Sequence, residues 1–130
     1  MKTYSYPEVG WMKERFQVLL IDEHTCTFDW TIESGGSVPE HCHQESDEHF
    51  TIISGALSMC IAGQWTPIQD GGSLTIPRMT YHSLRNSTSQ PVICRVSFTP
   101  VVDQGKFFQI LFFLKHLNPK DPMALFKALY

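Results

Sequence analysis

Four residues have the types and spacing to do chemistry together: His41, His43, Glu48 and His82. His41 and His43 lie two apart in "SVPEHCH", so on a strand both side chains point to one face and Cys42 to the other. Two rises of roughly 3.3 Å set their α-carbons about 6.6 Å apart, a gap that one ion about 2.1 Å from a nitrogen of each can bridge. Glu48 lies five positions beyond His43, an odd step that would turn it to the wrong face of an unbroken strand. The intervening "QESD" has the composition of a turn, which resets the parity and lets Glu48 open the next strand facing inward. Phe50 and Ile52 then share its face, while His49 and Thr51 face outward. His82, which follows "GGSLTIPRMTY" and starts a strand, is the natural fourth ligand. Three imidazoles and one carboxylate suit a borderline divalent transition metal: Mn, Fe, Co, Ni, Cu or Zn. Four protein ligands leave coordination positions open for substrate or dioxygen.

Other polar residues are assigned to the background. Glu45 and Asp47 are rival carboxylates, read as solvated turn residues. His24 and His49 are read as surface histidines, and His116 as part of a helix's polar stripe. Tyr81 adjoins His82 and faces the other way; Arg95, alternating with Cys94 and Val96, is exposed or ion-paired. Phe28, Trp30, Phe50, Met59, Trp65 and Phe98 are candidates for a pocket lining. An ion in such an aromatic cup favours a small, mainly apolar or planar ligand with a chelating oxygen pair. Outside the four ligands, no inward carboxylate or lysine offers itself as a catalytic base.

The elements that must position these residues are short strands. "RFQVLLI" and "CTFDWTIE" come first, and in the second Phe28, Trp30 and Ile32 alternate with Asp29 and Thr31 as in a half-buried strand. Gly35-Gly36 breaks the chain before "SVPEHCH", and Gly55 closes "EHFTIIS". "ALSMCI" and "QWTPI" flank Ala62-Gly63, a two-residue hairpin signal. "SLTIP", "YHSLRN" and "VICRVSFT" complete the series. The expected fold is an antiparallel all-β sandwich or barrel over about residues 15–100. Beyond Pro100 a helix is expected from about Lys106 to Leu117, with a plausible cap at Asp103, then a second short helix from Met123. The first is apolar around most of its circumference, which predicts burial on the barrel or against another subunit.

Residues 35–55 fit the first cupin motif, G(X)5HXH(X)3-4E(X)6G, through Gly35, His41, His43, Glu48 and Gly55. Residues 71–86 fit the second, G(X)5PXG(X)2H(X)3N, through Gly71, Pro77, His82 and Asn86, with Met79 standing where the pattern has glycine. The chain thus resembles the small single-domain, metal-binding cupins of the RmlC-like type. The resemblance implies a double-stranded β-helix, or jelly-roll barrel, with one or two C-terminal helices over residues 1–130 as a single domain. It further implies a mononuclear metal on His41, His43, Glu48 and His82, and commonly a homodimer. Met79 would build the bend differently and narrow the pocket mouth. Cupin barrels host oxygenases, isomerases, epimerases, decarboxylases and non-catalytic binders, so the resemblance leaves the reaction open.

Composition narrows the field. The 130 residues are 42% hydrophobic and 18% charged with a net charge of −3, and Lys and Arg are scattered, so neither nucleic acid nor an anionic membrane is an expected partner. The four cysteines show no CxxC pairing, and the three that sit inside apolar or alternating runs read as small buried free thiols. The start "MKTYSYPEVGW" has no apolar h-region and "FFQILFFL" is too short to span a bilayer, which together read as a cytoplasmic protein. The expected function is a metalloenzyme acting on a small organic substrate, by oxygenase-type or sugar-isomerase-type chemistry. The alternatives are a non-catalytic module that binds a small molecule or metal, and a metal held only for structure.

Overall fold

The computed structural model describes residues 6–117. Among the described residues ten strands are followed by one helix: β1 (Val9–Trp11), β2 (Glu14–Ile21), β3 (Cys26–Ile32), β4 (Ser37–His41), β5 (Asp47–Ser54), β6 (Ala56–Ile61), β7 (Gln64–Gln69), β8 (Ser73–Ile76), β9 (His82–Arg85), β10 (Val92–Thr99) and α1 (Gln104–Leu117). They form two antiparallel sheets, six strands in the order β1-β2-β3-β10-β5-β8 and four in the order β4-β9-β6-β7. This is the double-stranded β-helix that the sequence motifs imply. Strands begin at Val9 rather than near residue 15, because Val9 and Gly10 pair with Phe16 and Arg15 across a short turn.

Alternation fixes which faces meet. In β3, Cys26, Phe28, Trp30 and Ile32 are buried, and in its neighbour β10, so are Val92, Cys94, Val96 and Phe98. With Phe50, Ile52, Leu57, Met59 and Leu84 these close one continuous core between the sheets. Each such side chain contributes on the order of 1.5–3 kcal/mol by leaving water. On the outer face of the larger sheet Arg95 makes paired contacts of 2.8 and 3.0 Å with Asp29, the ion pair its alternation suggested.

Turns follow the expected chemistry. Ala62 and Gly63 both have positive φ, 50° and 84°, as a type I′ hairpin requires. All four cysteines are free, and burial pushes Cys26 up to about 11 and Cys94 up to about 12, so both stay protonated thiols at neutral pH.

The helix starts two residues earlier than its sequence suggests, with the Phe107 amide donating to the Asp103 carbonyl at 3.0 Å. Phe108, Leu111 and Leu114 form its buried stripe, and Phe108 sits 4.8 Å from Phe28 between ring centroids. The barrel covers only this side of the helix, and Ile110, Phe113 and Leu117 are exposed on the single chain. No described helix is long and apolar enough to cross a membrane. The second helix expected from Met123 lies outside the described residues.

Candidate metal centre

His41 ends β4 and His82 begins β9, and the two are directly paired across that antiparallel ladder. Their ring centroids are 4.3 Å apart. His43 lies in the connection to β5, two residues beyond its partner, and its carbonyl accepts the Met79 amide at 2.8 Å. Glu48 is the second residue of β5, in the facing sheet. The turn at residues 44–46 does reset the parity, so Glu48 and Phe50 are buried while Thr51 faces out.

The four side chains converge. One ligand-type atom from each of His41, His43, Glu48 and His82 lies within 4.8 Å of the others. Glu48 Oε1 is 3.1 Å from His82 Nε2 and 3.3 Å from His43 Nε2. An ion about 2.1 Å from each ligand sets neighbouring donors about 3.0 Å apart and opposite donors about 4.2 Å apart. The cluster therefore fits a divalent transition metal with shifts of a few tenths of an ångström.

The tautomers are prepared as well. His41 Nδ1 and His82 Nδ1 each contact a backbone carbonyl, of Pro39 at 2.8 Å and of Thr80 at 3.0 Å. Donation through Nδ1–H makes Nε2 the ligand nitrogen of each ring, as a lone pair at His41 and, at His82, once the proton that Nε2 gives to Glu48 is lost.

Burial sets the electrostatics. Glu48 and His82 are only 4% and 1% exposed. For Glu48, burial pushes the carboxyl up, but hydrogen bonds and charge from His43 and His82 outweigh it and hold the group below its ordinary value. For His82, burial opposes the charge, yet the bond to Glu48, the bond to the Thr80 carbonyl and the Glu48 charge raise it above its ordinary value. His41 is lowered, chiefly by burial and against the pull of the Pro39 carbonyl.

The cluster opens onto a cavity of about 560 Å³ between the sheets, closed on one side by α1. Phe28, Trp30, Phe50 and Phe98 line it, as do His41, His43, Glu48 and His82. His43 packs edge-on against Phe98 at 5.2 Å. Three other lining expectations need correction. Met59 is buried in the core away from the cavity, because β6 turns it toward Leu84 and the inter-sheet packing. Trp65 lies on β7 and is 45% exposed, with the Arg85 guanidinium 4.1 Å above its ring. Met79 is 64% exposed and does not narrow the mouth. Its φ of 67° keeps the left-handed bend that glycine would adopt, and the side chain points to solvent.

Asp47 is more than a solvated turn residue: it accepts the Arg78 amide at 2.8 Å and pairs with its guanidinium at 3.2 Å, which holds its carboxyl below the ordinary range. Glu45 is exposed. His24 is exposed, and His49 is held outside the cavity between the hydroxyls of Thr75 and Thr99, each at 2.9 Å. Tyr81 is exposed and turned away from His82.

Glu14 was missed by sequence reasoning. It lines the cavity as the first residue of β2, on the face it shares with buried Phe16 and Val18. Extending the alternation of "RFQVLLI" one step backward was the signal. Gln104 of α1 also reaches the cavity, and its amide donates to Ser46 Oγ at 3.0 Å, which fastens the helix start to the turn between His43 and Glu48.

A double-stranded β-helix with three histidines and a glutamate gathered at its lumen defines a class of protein. The chain belongs to the cupin domain family, whose model matches residues 28–98. No curated protein matches it in sequence. Among solved structures it is similar to KdgF from Halomonas sp., with a TM-score of 0.69, 14% identity and coverage of 75% of this chain and 91% of that one. The cupin domain of Cnp3 from Schizosaccharomyces pombe gives a TM-score of 0.67 at 16% identity, over 81% and 76% of the two chains. The cupin domain of an XRE-family transcriptional regulator from Enterobacter cloacae gives 0.63 at 24%, over 70% and 100%. At these identities the likeness establishes a shared fold.

Proposed function

We propose that the chain is a metalloenzyme acting on a small organic molecule, with His41, His43, Glu48 and His82 holding one divalent transition metal. The observation that carries this reading is the convergence of four donor atoms within 4.8 Å at the wall of an aromatic-lined cavity of about 560 Å³. That volume falls in the range of small-molecule sites. When bound, the ion supplies Lewis-acid polarisation of substrate oxygens, or oxygen chemistry if it is iron.

The protein's own part is positioning. The carbonyls of Pro39 and Thr80 hold two imidazoles in one tautomer, and Phe28, Phe50 and Phe98 exclude water from the bound substrate. Among the described residues the cavity lining contains no lysine or tyrosine; of its two further carboxylates, Glu14 is distant from the cluster in strand register, and Asp103 at the start of α1 has its side chain turned largely to solvent, 4.0 Å from Lys106. Oxygenase-type chemistry is therefore favoured over an isomerase that must move a proton beside the metal.

The test begins with elemental analysis of protein purified without chelator or affinity nickel. About one equivalent of a transition metal is expected, and a His41→Ala, His43→Ala variant should lose it. Metal-free wild type, or metal retained by the variant, would overturn the assignment. Iron-loaded protein is then expected to consume oxygen with a diol or catechol. Tight binding of such compounds without turnover would move the reading to a non-catalytic ligand module.

The exposed face of α1, formed by Ile110, Phe113 and Leu117, supports a homodimer. A monomer mass by light scattering at micromolar concentration would remove that assignment.

A further inference from the structure

We propose that Glu14 and the indole of Trp30 form a second polar subsite in the cavity, remote from the histidine cluster, that binds a neutral hydroxyl group on an otherwise apolar ligand. The inference deepens the reading of the cavity as a substrate site and rests on it.

Three observations carry it. First, Trp30 Nε1 is the one buried side-chain polar atom without a hydrogen-bond partner among the described residues, and Trp30 lines the cavity. A buried donor left unpaired is costly, so it calls for an acceptor. Second, Glu14 brings a carboxylate to the same wall, and no described residue engages it in an ion pair. Its neighbour Arg15 is turned to the other face, 2.6 Å from Glu33. Burial raises the Glu14 carboxyl above its ordinary value, and the nearby indole N–H opposes that shift without completing a hydrogen bond. Third, register sets Glu14 well away from the histidines, with Trp30 between the two, level with Cys94. Glu14 is level with Ile32, and Ile32 with Val92, whereas Glu48 is level with Phe98. Six residues along β10 amount to roughly 20 Å of strand between the two backbone levels.

The pairing of groups selects the ligand. An ammonium would satisfy Glu14 and leave the indole N–H unpaired. A carboxylate would accept from the indole and be repelled by Glu14. A hydroxyl donates to the carboxylate and accepts from the N–H, so both are satisfied at once. Around it, Phe16 stacks on Trp30 with centroids 5.2 Å apart, and Phe28 and Phe108 complete an apolar wall.

Binding of 2-naphthol and of naphthalene, which differ only in the hydroxyl, tests this on the full chain by calorimetry. Wild type is expected to bind 2-naphthol about tenfold or more tightly than naphthalene, in line with one hydrogen bond to a charged group. Glu14→Leu should bring the ratio near one. Glu14→Gln, which keeps the shape and an uncharged acceptor, should leave an intermediate ratio. A ratio near one in wild type, no binding of 2-naphthol, or a ratio unchanged in both variants would overturn the subsite. Metal content measured on the same samples separates the two readings. Hydroxyl preference without metal sinks the metalloenzyme and keeps the subsite, and metal without hydroxyl preference does the reverse.

Discussion

At the level of single residues, the cluster is a set of coupled proton sites whose preferences make a pH signature. In metal-free protein His82 is raised above 6.5, so its contribution to stability is full below about 6.5 and is lost as pH rises through its folded value. His41 is lowered below 6.5, and its contribution runs the other way, present above about 6.5 and lost as pH falls. Glu48 is lowered below 4.5, adding stability that is present above about 4.5 and lost in stronger acid. The three meet near pH 6.5, where the chelator-treated protein is expected to melt highest. Thermal melts in chelator from acid to alkaline pH check this, and a melting temperature that climbs steadily to pH 9 would refute it. Metal uptake should instead strengthen as pH rises past the His82 value, because a ligating imidazole must be neutral. The four clustered residues were legible in the sequence because spacing of two on a strand and a turn of known composition determine where side chains point. Glu14 was not, since a lone carboxylate at a strand end looks like a solvated terminus until the neighbouring strand shows which face is covered.

At the level of elements, the motif residues that bear no chemistry earn their place by holding turns. Asn86 is buried, and its amide donates to the carbonyls of Ile32 at 2.9 Å and Gln90 at 2.7 Å while its oxygen accepts from the Thr88 amide and hydroxyl. It thereby ties the end of β3 to the turn before β10. Asn86→Ala is expected to cost about 2–4 kcal/mol, since several buried polar groups lose partners together; urea denaturation would measure it. Met79 offers the opposite change. Its left-handed φ of 67° is strained for a residue with a β-carbon, and its side chain is solvent-exposed. Met79→Gly should therefore stabilise by up to about 1 kcal/mol and leave metal uptake unchanged, because the amide that holds the His43 carbonyl is kept. A marked loss of metal in this variant would show that the bend depends on the methionine. Strand positions were readable because alternation and glycine turns are local signals. Which side of α1 the barrel covers was not, because the sequence "KFFQILFFLKHL" is apolar on several faces and only the packing of Phe108, Leu111 and Leu114 selects one.

At the scale of the whole molecule, the cluster joins the two sheets. His41 and His82 come from the four-stranded sheet and Glu48 from the six-stranded one, with His43 in the connection between them. Along the walls, the sheets are held by aromatic packing around a cavity of about 560 Å³, so a cross-link at one end replaces contacts that the open lumen lacks. An ion bound there and not in the unfolded chain stabilises by RT ln(1 + [L]/Kd), about 2.7 kcal/mol when free metal is a hundred times Kd. For a domain of this size that corresponds to a rise in melting temperature of roughly 10 °C. Calorimetric scans of chelated and reloaded protein should show that difference, and should lose it in Glu48→Gln, where the bridge between the sheets is cut but three imidazoles remain. Retention of the full shift in Glu48→Gln would place the ion on one sheet alone, and the cross-link would then contribute nothing to holding the barrel closed.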